Sequence, residues 1–117
     1  MRVIITPKPV TFEAGHSLPQ FCPTAHGHSY KVSVRVSGPL DEHGTVADFR
    51  AVRAIVKSVV AQLDHRMLND IIENPTAERV ALWLWDRVDV ELRRAHPAAA
   101  LLSLRLAEGE HEVEVVS

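Results

Sequence analysis

The sequence predicts a two-layer α+β fold in the order β-β-α-α-β-β, a four-stranded antiparallel sheet with two helices on one face. Three observations carry that expectation. Residues 28–37 alternate, with Tyr30, Val32, Val34 and Val36 on one side and Lys31, Ser33, Arg35 and Ser37 on the other. Two longer segments in the middle of the chain place apolar residues at three- and four-residue spacing. Alternation then returns at Leu102, Leu104 and Leu106, with Ser103 and Arg105 between them.

Taken in order, residues 2–14 (RVIITPKPVTFEA) lean towards strand, and Pro7 and Pro9 restrict them to a sheet edge or a bulge. The alternating strand at 28–37 is followed by GPLDEHG at 38–44, a turn-rich connection. Asp48 is placed to cap the first helix. Its stripe is Phe49, Val52, Ile55, Val56, Val59, Val60 and Leu63, and it ends near LDHRMLN. The second helix starts at Thr76, just after Pro75; Thr76 can cap it, although Arg79 stands where a capping box has an acid or amide. Val80, Leu84, Trp85, Val88 and Leu92 give this helix a broad buried stripe, and Pro97 stops it. A turn near Gly109 leads to the last strand, HEVEVVS. One face of such a sheet holds both helices, the other is polar and wet, and two free edges invite association.

The 117 residues suit one domain, 1–117, long enough for a real core. A net charge of -2 gives no reason to expect nucleic acid or an anionic membrane as partner. MRVIITPKP has too short an apolar run for a signal peptide, and no transmembrane segment is expected. The single Cys22 cannot form an intrachain disulfide, which fits a cytoplasmic location.

The chemistry starts at CPTAHGHSY, residues 22–30. On a strand, His26 and His28 point to one side and the small Gly27 to the other. Imidazole is a common ligand for zinc, so this pair is half of a metal site. His16, at the end of FEAGH, returns beside them if the two strands form a hairpin. Three histidines with an open fourth position is the pattern of a catalytic zinc centre. Cys22 has three readings: a small buried residue, a fourth zinc ligand closing a structural site, or a thiolate base beside the metal. Asp64-His65 reads either as a histidine at a helix C-terminus or as a proton-transfer pair in which the carboxylate fixes the imidazole. Glu108 is either a solvated carboxylate or an acceptor for two parallel N–H groups of a guanidine-like heterocycle edge. His43, His96 and His111 fall in or beside turns and read as surface residues.

Over residues 12 to about 85, the motifs FEAGH, C-x3-HGHSY, GTVADF, LDHRMLN and NPTAE occur in the order seen in the 6-pyruvoyl-tetrahydropterin synthases. The chain resembles these enzymes and their bacterial relatives, the 6-carboxy-tetrahydropterin synthases. The resemblance implies the tunnelling fold, in which such units join edge to edge into a barrel, often as a hexamer of two stacked trimers with sites between subunits. It implies zinc on His16, His26 and His28, Cys22 as the base, and Asp64 with His65 as the partner acid/base dyad. Glu108 would anchor the pterin ring, helped by Thr76 and Glu78. The implied substrate is 7,8-dihydroneopterin triphosphate, which loses triphosphate without a redox cofactor. In the bacterial branch, favoured by the short chain and the C-x3-HGH spacing, side-chain cleavage also gives acetaldehyde and 6-carboxy-tetrahydropterin on the way to deazapurines. Three positions depart from the pattern: the short SLPQF between His16 and Cys22, Ala77 in place of Ser or Thr, and Gly109 in place of Thr. They motivate one alternative, a pterin enzyme with another reaction such as side-chain trimming of an unphosphorylated pterin. A second alternative is a non-catalytic zinc-stabilised oligomer that binds a heterocycle, with Cys22 as a fourth ligand.

Overall fold

Pro7 and Pro9 divide the first strand in two. The computed structural model describes residues 1–117, and in it β1 spans Val3–Ile5 and β2 spans Val10–Leu18. Both pair antiparallel with β3, Cys22–Gly38, β1 against its far end and β2 against its first half. After β3 come α1 (Phe49–Val60), β4 (Arg66–Met67), a short 3-10 turn (Leu68–Asp70), α2 (Ala77–Ala95), β5 (Ala100–Glu108) and β6 (His111–Val116). The sheet order is β4-β2-β3-β5-β6, with β1 on β3 as well. The expected four-stranded antiparallel sheet is therefore six-stranded and mixed. The two extra strands have local causes: the prolines interrupt one strand, and β4 adds in parallel to β2 through Ala14↔Arg66 and Gly15↔Met67.

β3 is the spine. Seventeen residues of strand run about 56 Å, which accounts for a molecule 52 Å long and only 22 × 21 Å across. Its alternation holds from Tyr30 to Val36. Ser37, expected on the polar side, is buried instead, its hydroxyl accepting from Arg2 at 3.2 Å. Tyr30, Val32, Val34 and Val36 are buried against the helices. They meet Val52, Val56, Val59 and Val60 of α1 and Val80, Ala81, Leu84, Val88 and Leu92 of α2. Leu104 and Leu106 complete the layer from β5, fully buried; each such leucine contributes about 1.5–3 kcal/mol over an exposed one. Alternation fails at Leu102. Arg35 pairs with Ser103 but Val36 with Leu101, so Leu102 is the extra residue of a bulge, and it is Leu101 that is buried.

The helix caps follow the sequence. Asp48 accepts the Arg50 N–H at 2.7 Å and Thr76 accepts the Arg79 N–H at 3.2 Å. The first of these bonds, aided by the Arg50 charge, holds the Asp48 carboxyl below its ordinary range. α2 ends at Ala95, two residues before Pro97. No helix is long and apolar enough to cross a membrane.

Candidate metal centre

The inward-facing stripe of the sheet changes character at one end. Along β2 it reads Val10, Phe12, Ala14, His16; along β3, from the far end, Val36, Val34, Val32, Tyr30, His28, His26; along β5, Leu104, Leu106, Glu108. Register then assembles the polar members. Ala14 pairs with His28 and His16 with His26 across β2–β3, and Tyr30 pairs with Glu108 across β3–β5. The hairpin return expected for His16 is thus realised, with its partner strand starting at Cys22, earlier than the alternation alone indicated.

His16, His26 and His28 each offer a ligand nitrogen, and these atoms lie within 4.8 Å of one another. His16 is fully buried; its Nδ1 faces the Pro75 carbonyl at 2.9 Å. His26 Nδ1 faces the Thr24 carbonyl at 2.8 Å. A carbonyl only accepts, so each Nδ1 carries a proton, and in the neutral ring each Nε2 then presents a bare lone pair. Those two lone pairs stand 3.0 Å apart. Neutral imidazoles in these tautomers have no proton to share between them, and a cation is what such a pair of nitrogens fits. Two nitrogens bound tetrahedrally to one zinc ion would stand about 3.3 Å apart, a few tenths from what is found. Burial pushes the pKa of His28 down, with the neighbouring histidines adding to the effect and Glu108 opposing it. That direction favours the neutral form, which is the one that binds a metal. Its 3.7 Å approach to Glu108 is accordingly a polar contact rather than an ion pair.

Glu108 is held from behind. The Tyr30 hydroxyl donates to its Oε2 at 3.3 Å, and burial together with the carboxylate pushes the phenol pKa well up, so the donor stays protonated. Tyr30 in turn stacks on Phe12, ring centroids 4.8 Å apart. The other oxygen of Glu108 faces His28.

Asp64 and His65 meet as expected, Oδ1 to Nδ1 at 2.9 Å. They sit at the edge of β2. Glu13 N–H donates to Asp64 at 3.0 Å and the Glu13 carbonyl accepts the His65 N–H at 2.6 Å. His65 takes a left-handed φ of 59°, which turns the chain from α1 into β4. The imidazole is mostly exposed and lines a cleft of about 440 Å³ with Glu13, Gly15, Gly27, His28, Ser29 and Arg66. Cys22 is not brought to the three histidines. It is exposed at the first residue of β3, its thiol 3.8 Å from the Thr24 carbonyl. Within this chain the reading of Cys22 as a buried residue or as a fourth ligand closing the site is therefore corrected: the short hairpin turns it outward. Thr76 spends its hydroxyl on the α2 cap, and Glu78 is exposed in the first turn. Both lie just after Pro75, whose carbonyl reaches His16.

Residues 5–117 match the family model described as 6-pyruvoyl tetrahydropterin synthase. The chain belongs to that family. An Archaeoglobus fulgidus relative, provisionally named 6-carboxy-5,6,7,8-tetrahydropterin synthase, is 41% identical over 102 residues, covering 86% of this chain and 84% of the relative. A Pyrococcus furiosus dihydroneopterin monophosphate aldolase is 38% identical over 91 residues, covering 72% of this chain and 79% of that one. Among solved structures, 6-pyruvoyl tetrahydropterin synthase of Caenorhabditis elegans superposes with a TM-score of 0.86 at 22% identity, over 100% of this chain and 96% of that one. At that identity the likeness speaks for the fold. The family resemblance read from the motifs is borne out, and the named relatives are enzymes of pterin chemistry.

Several contributors were not legible beforehand. Pro75 and Thr24 act through backbone carbonyls, which leave no trace in side-chain identity. Tyr30 looked like another core residue of the alternating strand, and only its pairing with Glu108 gives it a second task. Asn69, at the end of LDHRMLN, bonds both the N–H and the carbonyl of Ser17.

Proposed function

We propose that the chain is a zinc-dependent lyase that converts 7,8-dihydroneopterin triphosphate to 6-carboxy-tetrahydropterin, or to the 6-pyruvoyl compound, with loss of triphosphate. The observation that carries this reading is the convergence of three metal-competent imidazoles and a braced carboxylate on one face of the sheet. Glu108 accepts the paired N–H groups of the pterin edge, held in orientation by Tyr30, and Thr76 and Glu78 at the head of α2 add contacts to the ring. Zinc on His16, His26 and His28 would supply Lewis acidity toward the side-chain oxygens of the substrate. Asp64 accepts the Nδ1 proton of His65, which leaves Nε2 free to take a proton from the side chain and return it. Cys22 serves as the second base from the hairpin tip. With Cys22 turned away from its own chain's histidines and the Asp64–His65 pair at the edge of β2, the complete site forms between subunits of a cytoplasmic homo-oligomer, a hexamer of two trimers. Mass-spectrometric product analysis of the zinc-loaded protein tests this. Either named product supports it, and unchanged substrate with zinc in place rejects it.

A second reading is favoured by the exposed position of Cys22 and by the Pyrococcus furiosus relative named as an aldolase. Retro-aldol cleavage of a phosphorylated dihydroneopterin needs one base and one acid. The 2′-hydroxyl loses its proton, the C1′–C2′ bond breaks, and its electron pair passes to C1′ and the conjugated ring before a proton returns. The products are a hydroxymethyl pterin and a phosphorylated two-carbon aldehyde. His65, paired with Asp64, can carry that proton without a thiol. Cys22→Ala separates the two readings. A loss of about 10²–10⁴-fold marks Cys22 as a general base of the first reaction, whereas unchanged turnover of dihydroneopterin monophosphate marks the second.

A further inference from the structure

The ladder that carries His16 ends abruptly. On the β3 side the pairing His16↔His26 is followed by Leu18↔Cys22, so the register breaks just after the ligand. On the other side β4 stops pairing at Gly15↔Met67. Ser17, the next residue of β2, is met by a side chain instead of a strand. Asn69 Oδ1 accepts the Ser17 N–H at 2.9 Å and Asn69 Nδ2 donates to the Ser17 carbonyl at 2.9 Å. An amide offers both a donor and an acceptor, and here it reproduces one more rung of the sheet. The turn that delivers Asn69 is pinned by Leu68 and Ile72, both buried.

Five residues on, the chain reaches the same histidine from behind. Asn74 adopts φ 47°, a left-handed conformation that asparagine tolerates better than other side chains. It stands before a proline, where helical backbone is already disfavoured. Its carbonyl accepts the Thr76 N–H at 2.8 Å, closing the turn. That turn buries Pro75 and points its carbonyl at His16 Nδ1.

We propose that Asn69 and Asn74 are positioning residues of the histidine centre: Asn69 holds the end of β2 on which His16 rides, and Asn74 shapes the turn that fixes the ring and tautomer of His16. The proposal rests on the reading of the three histidines as a metal site. It adds that the affinity of the site is set from segment 69–76, outside the ligand set. Loss of a ligand's own hydrogen-bonding partner, here the Pro75 carbonyl on His16, changes metal affinity by about 10- to 100-fold.

The test is zinc competition against a chromophoric chelator, using the full chain after metal removal, with the melting temperature of each metal-free protein recorded alongside. Wild type is expected to take one zinc ion per chain, and His26→Ala to bind it about 100- to 1000-fold more weakly. Asn69→Ala and Asn74→Ala are expected to weaken binding about 10- to 100-fold. Asn74→Gly, which keeps the left-handed turn open, is expected to stay within about threefold of wild type. Asp70→Ala, on the exposed side of the same turn, serves as the control. If wild type takes no zinc, the metal reading falls and the proposal with it. Should wild type bind while both alanine variants bind equally well at lowered melting temperature, the asparagines are merely structural and the proposal alone is overturned. Asn74 does not depend on Asn69, so loss of folding in one variant still leaves the other to decide.

Discussion

Along β2, β3 and β5 one inward face holds valine, leucine and phenylalanine over most of its length and His16, His26, His28 and Glu108 at one end. The two regions share backbone geometry, register and pairing, and they do opposite work. The aliphatic region removes apolar surface from water and holds the helices. The polar end places a buried histidine and two facing lone pairs where they gain nothing from folding alone. A sheet rigid enough to keep a core in register also keeps ligands in register, and changing the residue types at its end converts packing into chemistry.

The largest effect that would break this comparison is at His26. A structural zinc site is worth about 10–16 kcal/mol, or about 2.5–4 kcal/mol for each of four ligands, so His26→Ala should weaken zinc binding about 100- to 1000-fold. Turnover should go with it. Chemical unfolding of the metal-free variant should show little loss of stability, because the change removes one of two lone pairs facing each other at 3.0 Å and only an exposed hydrogen bond to the Thr24 carbonyl. A metal-free His26→Ala protein distinctly less stable than wild type would show that the histidines also do structural work.

Leu104 makes the opposite case. It is fully buried in the aliphatic region, and Leu104→Ala should cost about 2–5 kcal/mol by urea denaturation. The variant that remains folded should bind zinc as wild type does. If affinity falls in step with stability, the two regions are coupled more tightly than their division suggests.

The inward alternation of β3 and β5 was legible because period two survives in the residue types themselves, and the histidine trio was legible because His26 and His28 keep that period. What was not legible is what the backbone decides. Nothing at Leu102 announces a bulge; its place is fixed by how Arg35 and Val36 pair across to β5. β4 exists because His65 turns left-handed, a conformation that no neighbouring glycine signals. The orientation of the His16 ring depends on a proline carbonyl 59 residues away. Cys22 was left open among three roles, and the hairpin's short SLPQF connection is what turns it out of its own chain's site.

Glu108 tests whether the polar end divides further, into metal holding and ring holding. Glu108→Gln keeps an acceptor for the Tyr30 hydroxyl but gives up the charge. A charge-assisted hydrogen bond contributes about 1.5–3 kcal/mol, so KM for the pterin should rise about 10- to 100-fold, with a smaller change in kcat. Zinc affinity should change far less than KM, because Glu108 stands outside the three-histidine ligand set. Reduced zinc affinity in this variant would make Glu108 part of the metal centre rather than its neighbour.

The smallest expected effect lies far from the site, at the head of α1, and it checks that the helix layer can be perturbed without disturbing the polar end. Asp48 caps α1 through the Arg50 N–H, and that bond holds its carboxyl below the ordinary range. A carboxyl depressed in the folded state contributes stability that is present above its unfolded pKa, about 3.9. That stability is lost as pH falls through the folded value. Asp48→Asn keeps an acceptor oxygen at a position where asparagine caps about as well as aspartate, so melting near neutral pH should change little. The decline of stability below about pH 4 should become shallower. Some acid sensitivity should remain, since the Asp41 carboxyl is likewise lowered by hydrogen bonds from Thr45. Zinc affinity in the variant should match wild type; a change there would mean that α1 transmits its state to the histidines, and the two regions of the sheet would have to be treated as one.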